Sequence, residues 1–510
     1  MPPSQQQPFR RQLRRLYTWY TVAFFLFIGL LALLERWGLS RQWIGMLFLV
    51  ATILPYAAIG IMSRTTDPVE YYVAGRRVPA LYNGMATGAD WMSAASFIGL
   101  AGTLYLQGYS GLAFVLGWTG GYCLVALLLA PYLRKFGQFT IPDFLAARYG
   151  GHWPRILGIA ATLLCSFTYV VAQIYGVGLI TSRLTGVAFE LGVFLGLGGI
   201  LVCSFLGGMR AVTWTQVAQY IVLIVAFLLP VAWLSVKQTG FPLPQLVYGL
   251  QLEKVSAREN ALRNDPAEAE VRAISQQRAN QLREKLAQPM EALVQDRKQA
   301  EARVNALREA NALPSDIARA ERVLSSLPKD ETTARALWQR QLDEAEAKTR
   351  PLNGMLPHGQ QYAGNPNGSM QERQEFEDSR HNFLALVFCL MVGTAALPHI
   401  LTRYYTVPSV REARRSVSWS LFFIILLYIT APALAVLVKF EVFEGLVGTS
   451  FDALPSWVAA WTKVDPTLLR VSDINRDGIL QLNEISIGGD IIMLASAEIA
   501  GLPYVIAGLV

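Results

Sequence analysis

One acid, Asp90, stands inside the apolar stretch NGMATGADWMSAASFIGLAG. A carboxylate at membrane depth is costly, so one that persists there marks an ion or substrate pathway by default. Its neighbours are small: Gly84, Gly88, Ala89, Ser93, Ala94, Ala95 and Ser96. Such a helix can break, and unwound carbonyls can then hold a cation. The competing reading is a close-packed helix with Asp90 paired to a neighbour. Farther along, Gly393, Thr394, Ala395, Ala396, Leu397, Pro398 and His399 spell a second interrupted helix. Proline removes a donor and breaks the ladder, and the positive end of a half-helix suits a carboxylate. Against this stands a proline kink that neighbouring helices tolerate. His399 reads as a packed or interfacial histidine rather than a proton relay.

A third constellation is independent of these. The run Asp473-Ile-Asn475-Arg-Asp477-Gly478-Ile479-Leu480-Gln481-Leu482-Asn483-Glu484 fits the EF-hand calcium loop. Side-chain oxygens fall at positions one, three and five, and Gly478 allows the turn at six. Ile479 offers its carbonyl at seven, Gln481 stands at nine, and Glu484 at twelve can bind bidentately. The flanking helix is short and no paired second hand is visible, so the bland reading is an unliganded Asx-rich turn.

The elements that must position these residues are membrane spans. Of 510 residues, 53% are hydrophobic and 16% charged, against about 25% charged in soluble domains. The apolar residues form runs near the length of about 20 that a helical span needs. This excludes a soluble enzyme, a disulfide scaffold and a nucleic-acid binder. Spans are read near 17–35, 43–63, 83–106, 110–132, 154–182, 187–206, 211–236, 383–402 and 416–438, with a tenth beginning near 501. Cys123, Cys165, Cys203 and Cys389 all lie in apolar runs and read as small buried hydrophobes. The first run is too long for a signal-peptide core, and Glu35-Arg36-Trp37 is no cleavage site.

Basic residues orient the chain. With the N-terminus cytoplasmic, the inner segments hold Arg10, Arg11, Arg14, Arg15, Arg64, Arg76, Arg77, Arg134, Lys135, Arg148, Arg155, Arg210, Arg403, Arg411, Arg414 and Arg415, while the short outer loops hold only Arg36, Arg41 and Arg183. A polar insert at 237–382 and a loop at 439–490 then fall outside. Residues 251–350 carry 18 Lys/Arg and 17 Asp/Glu, near-neutral overall. Leu286, Met290, Leu293, Ala300, Val304 and Leu307 form a coiled-coil-like seam interrupted by Arg297. Pro314 and Pro328 break it, and Ser315 and Asp330 are candidate N-caps. An extracytoplasmic helical hairpin is expected, with 351–378 as a loop.

Five ordered motifs resemble the sodium:solute symporter family, and its cation/acetate symporter branch in particular: DPVEYYVAGRRVPALYNG, GADWMSAASF, FGQFTIPDFLAARYG, LGGMRAVTWTQ and GTAALPHILTRYYTVPSVREARRS. The resemblance runs from about residue 43 to the last residue, with the insert outside it. It implies an all-α membrane protein of inverted-repeat, leucine-transporter-like fold. On that basis 1–82 holds two N-terminal helices, 83–236 the first five-helix repeat, 237–382 the insert, and 383–510 an incomplete second repeat. It further implies sodium at the break of the first core helix, on the carbonyls of Ala89 and Met92 with Asp90 beside them. Candidate substrate contacts are Ser93, Ser96, Tyr169, Gln173, Gly393, Thr394 and Pro398. Where several symporters of the family carry an acid after Trp-Thr, this chain has Gln216 after Trp214-Thr215, which weakens a second sodium site. The resemblance also implies two core helices, and hydroxyl ligands for sodium, beyond residue 510, so the chain reads as C-terminally truncated.

The expected function is sodium-coupled symport of a small, acetate-like monocarboxylate across the inner membrane. The protein would be no enzyme and use no organic cofactor. Sodium is the coupling ion, calcium a candidate for the outer loop, and lipid, not nucleic acid, the surrounding partner. The rival readings are a membrane sensor using the insert and calcium loop, and a non-functional truncated symporter.

Overall fold

The computed structural model describes residues 3–310 and 312–510. The apolar runs fold as helices, because in hydrocarbon a helix satisfies its own backbone donors and acceptors. In chain order the helices of the apolar part are α1 (Pro3–Arg36), α2 (Arg41–Met62), α3 (Ala80–Trp91), α4 (Leu100–Gln107), α5 (Leu112–Leu124), α6 (Trp153–Thr185) and α7 (Phe189–Thr239). The insert contains α8 (Pro244–Arg263), α9 (Pro266–Ala287), α10 (Pro289–Glu309), α11 (Pro314–Ser326) and α12 (Glu331–Ala347). After it come α13 (Met370–Ala395), α14 (Pro398–Leu401) and α15 (Val410–Gly445). Among the described residues, six helical stretches have the length and apolarity of a span, and α13 with Pro398–Tyr405, bent by 47°, makes a seventh.

Two long stretches double back on themselves. α7 contains 51 residues, which at 1.5 Å each would reach about 77 Å if straight, against a hydrocarbon core of about 30 Å. It turns at Gly208, whose φ of 52° and ψ of −141° suit a residue without Cβ. Gly207 packs against Ser63 at the end of α2. At the other end of α7, Gln238 donates to the Leu437 carbonyl near the end of α15, 2.9 Å away. The chain likewise reverses between α4 and α5, where Gly111 lies back against Leu104.

Counting from α3, the chain crosses five times before the insert: α3 with α4, α5 with its continuation to Phe136, α6, and the two halves of α7. An odd number of crossings reverses direction. α13 therefore enters from the face opposite to the one α3 enters. Each unit opens with an interrupted helix, and α3 packs against both α14 and α15. This all-α, inverted arrangement agrees with the expected fold class. Among the described residues there is one sheet, a two-stranded antiparallel ribbon in the loop at 439–490, β1 (Leu469–Val471) with β2 (Ile485–Ile487).

Close packing of α3 on α15 explains Gly84. A Cβ there would stand 2.6 Å from the Trp419 Cβ. On the face that holds the N-terminus, Arg134 donates to the carbonyls of Val407 and Pro408 at 2.6 and 2.9 Å, and Arg155 pairs with Asp143 at 2.6 Å.

The insert departs from a simple hairpin. The seam from Leu286 to Leu307 is not continuous. α9 ends at Ala287 and α10 starts at Pro289, so the heptad register is lost between them, and Met290 is 55% exposed. Instead Leu282 and Leu293 join Trp338 and Leu342 of α12 in a separate small core. Asp330 caps α12 by accepting from Thr333 N at 2.8 Å. Ser315 is not a cap, because Pro314 already occupies the first helical position.

The insert is fastened to the rest of the chain by buried polar contacts. Lys439 of α15 lies 3.1 Å from Glu259 of α8. Glu268 accepts from Leu482 N, and from Asn483 N at 3.2 Å. Asn483 donates to the carbonyls of Lys348 and Arg350 at 2.7 and 3.0 Å. His358 N donates to Glu259 at 3.0 Å, and burial, with Lys439 nearby, pushes the His358 imidazole down to about 3.

The cysteines differ from expectation. Cys165 and Cys389 point outward from apolar helices and Cys123 is only half-buried, as fits a bundle whose surroundings are themselves apolar. The Cys203 side chain lies outside the described residues.

Candidate functional site

α3 ends at Trp91. Met92 leaves helical geometry at φ −78° and ψ 57°, and helix resumes as a π-turn over Ala95–Gly99. The break expected near Asp90 therefore lies directly after it. Ser96 spans the gap by donating Oγ to the Trp91 carbonyl. Among the described residues, no donor reaches the carbonyl oxygens of Ala89 or Met92 within hydrogen-bond range. They lie at a helix C-terminus, where positive charge is favoured.

α6 wraps the break. Gln173 accepts from Ala94 N at 3.2 Å, and the Tyr169 hydroxyl reaches the Asp90 carbonyl at 3.5 Å. The two side chains are one turn apart, as their spacing requires. The Tyr169 ring also lies over His399, centroids 4.7 Å apart, so His399 is a packed aromatic partner.

The Asp90 side chain is paired, and its partner is Arg403. The guanidinium donates through Nε to Oδ2, and through Nη2 to Oδ1 at 3.0 Å. Gln216 donates its amide to Oδ1 as well. Arg403 is 2% exposed, and its Nη1 donates to Thr213 Oγ1 at 2.9 Å. Its backbone is held too: Asn83 donates to the Arg403 carbonyl at 3.3 Å, and Thr406 Oγ1 donates to Asn83 Oδ1 at 2.9 Å. The positive-inside tally counted Arg403 as a loop residue. It is instead a buried counter-ion, because a lone membrane acid recruits the nearest cation that can be preorganised against it. Its signal was an arginine a few residues past Pro398 in an otherwise apolar run.

The candidate residues are not all brought together. Ala89, Asp90, Met92, Ser93, Ser96, Tyr169 and Gln173 gather at the break. Pro398 is buried and opens α14. Thr394 is pressed instead against Gly121 of α5, and Gly393 faces open space.

The loop at 473–484 is spanned by β1 and β2. Asp473 Oδ2 accepts from Gly478 N at 3.2 Å, and Asp477 Oδ1 from Ile479 N at 2.7 Å. That second bond holds the Asp477 carboxyl below its usual range. Glu484 is buried and accepts from Ile474 N, and from Gln481 N at 3.1 Å. Burial pushes its carboxyl up. Asn475 and Gln481 both donate to Asp477 Oδ2, at 3.0 and 2.7 Å. Among the described residues, no three His, Cys, Asp or Glu side chains cluster around a point that would hold a metal. The calcium pattern is thus present in sequence, while its oxygens are engaged with backbone and amide donors.

The sequence profile of the sodium:solute symporter family matches residues 71–262, from the α3 approach through α8. An uncharacterized symporter of Cupriavidus necator is 54% identical over 515 aligned positions, covering 100% of this chain and 74% of its own length. The chain belongs to the sodium:solute symporter family. It is a transporter, not an enzyme. A monocarboxylic acid transporter of Corynebacterium glutamicum is 25% identical to this chain, over 73% of it and 51% of the transporter's own length. Among solved structures, a Na+-coupled sialic acid symporter in a substrate-bound outward-open state aligns with 91% of this chain and 67% of its own. Its identity is 13% and the TM-score 0.49.

Proposed function

We propose that the symporter carries a small monocarboxylate, such as acetate, together with Na+ across the inner membrane, with its N-terminus in the cytoplasm. The observation that carries this reading is the break after Asp90. A carboxylate stands beside two carbonyls, of Ala89 and Met92, at the C-terminal end of α3. Hard oxygen donors of this kind suit Na+ as they suit other hard cations. Ser93, Ser96, Tyr169 and Gln173 at the break, and Gly393, Thr394 and Pro398 of the second interrupted helix, are the substrate contacts of this reading, although Thr394 packs on Gly121 here. The choice of a monocarboxylate is supported by the Corynebacterium relative and by the buried Arg403. The orientation is supported by the excess of basic residues on the N-terminal face. Labelled acetate uptake into proteoliposomes, with and without an inward Na+ gradient, tests the reading. Asp90→Asn should reduce gradient-driven uptake at least tenfold, about 1.4 kcal/mol or more of lost coupling. Equal uptake with and without the gradient would refute it.

The loop at 473–484 carries a second, structural reading. We infer that it takes up Ca2+ on the outer face, where even a weak site of about 10⁻⁴ to 10⁻³ M can fill. The matching donor positions and the left-handed Gly478, φ 75°, support this.

A further inference from the structure

We propose that the Asp90–Arg403 pair is exchanged when the symporter loads. The substrate carboxylate takes over the Arg403 guanidinium, and the released Asp90 turns its charge to the cation at the Ala89 and Met92 carbonyls. The inference rests on the symport reading of this site and adds Arg403 as the substrate anchor.

The charge balance carries it first. With Arg403 2% exposed and its side chain on Asp90, the pair is neutral by itself. A cation entering alone would leave one buried positive charge uncompensated, and an anion alone one negative. Either is expensive in a low-dielectric interior. Entering together, they convert one ion pair into two and leave the site neutral again. Occupancy by one ion therefore raises affinity for the other.

The geometry carries it second. Asp90 lies in the last turn of α3, the negative end of that helix, where a carboxylate is poorly placed unless a cation is near. Its side chain keeps 12% exposure. Arg403 is held by Thr213, and its backbone by Asn83; Asp90 has the Gln216 amide as its further partner and, as the more exposed of the two, is the member that turns. The Gln216 Oε1 atom is buried with no hydrogen-bond partner. It is a neutral oxygen beside Asp90, available to a cation as soon as Asp90 turns.

The test is equilibrium binding of ²²Na⁺ and of labelled acetate to the whole chain in lipid nanodiscs. Acetate should tighten Na+ binding by about tenfold, and Na+ should tighten acetate binding by the same factor, as linkage demands. Arg403→Gln should bind Na+ tightly without acetate, with acetate changing that affinity less than about twofold. Asp90→Asn should bind acetate without needing Na+. Arg403→Lys should keep the coupling with weaker acetate binding. If Arg403→Gln does not fold, the charge-free pair Asp90→Asn with Arg403→Gln should fold and lose the coupling. Wild-type coupling in Arg403→Gln or in the double variant overturns the exchange while leaving symport intact. A wild-type chain in which Na+ and acetate bind without influencing one another overturns both.

Discussion

The Lys439 ammonium lies 3.1 Å from the Glu259 carboxylate, with the two side chains 0% and 1% exposed. Lys439 comes from α15 of the membrane bundle and Glu259 from α8 of the insert. The ammonium also sits over the rings of Tyr105 and Phe443, at 5.6 and 5.5 Å. Removing one member strands the other charge in an apolar setting. Glu259→Gln should therefore destabilise the folded chain by about 3–5 kcal/mol. Lys439→Met with Glu259→Leu should recover most of that loss. Thermal unfolding followed by intrinsic fluorescence checks both, and a single variant as stable as wild type would deny the pair a fastening role.

His358 makes this fastening sensitive to pH. Burial depresses its imidazole from 6.5 to about 3, so the docked insert holds the neutral form. The stability this contributes is full above pH 6.5 and falls as pH drops from 6.5 towards 3. The slope is at most about 1.4 kcal/mol per pH unit. The facing charged groups are Lys439 and Glu259. His358→Asn should flatten the melting temperature between pH 6.5 and 4 relative to wild type. Parallel curves for the two proteins would count against it.

Gln216→Glu would set a second carboxylate against Asp90, where the amide now donates. Two like charges would then repel in one buried site, and the donor to Asp90 would be lost. Uptake at pH 7.5 should fall at least about tenfold. Unchanged uptake at pH 7.5 would show that Gln216 does not report on Asp90.

For the outer loop, millimolar Ca2+ should protect the bond after Arg476 from trypsin. Arg476 already holds a left-handed φ of 65°, and a ligated loop would keep it there. Asp473→Asn with Glu484→Gln should abolish the protection. Identical cleavage rates with Ca2+ and with a chelator would exclude the site.

Much of this protein follows from residue types and spacing. Apolar runs of span length place the helices, because hydrocarbon accepts little other than a self-satisfied helix. The small residues around Asp90 foretell the break, since they neither fill space nor resist close approach. Gly393 through Pro398 foretell the bend before α14. These are local consequences of backbone chemistry, legible without a fold.

What the tertiary structure decided are contacts between residues far apart in the chain. Arg403 is 313 positions from Asp90, and nothing in either motif names the other. The reversal at Gly208, by contrast, falls between the spans read at 187–206 and 211–236. The coiled-coil seam fails at Pro289, since periodicity cannot register a break that keeps the count. Thr394 turns to Gly121 and away from the break, because the rotation of a helix about its axis is set by packing rather than by composition. Charge pairing and helix rotation are properties of an assembled bundle. A lone acid in a span shows that a counter-ion is needed, and only the folded chain shows which one it takes.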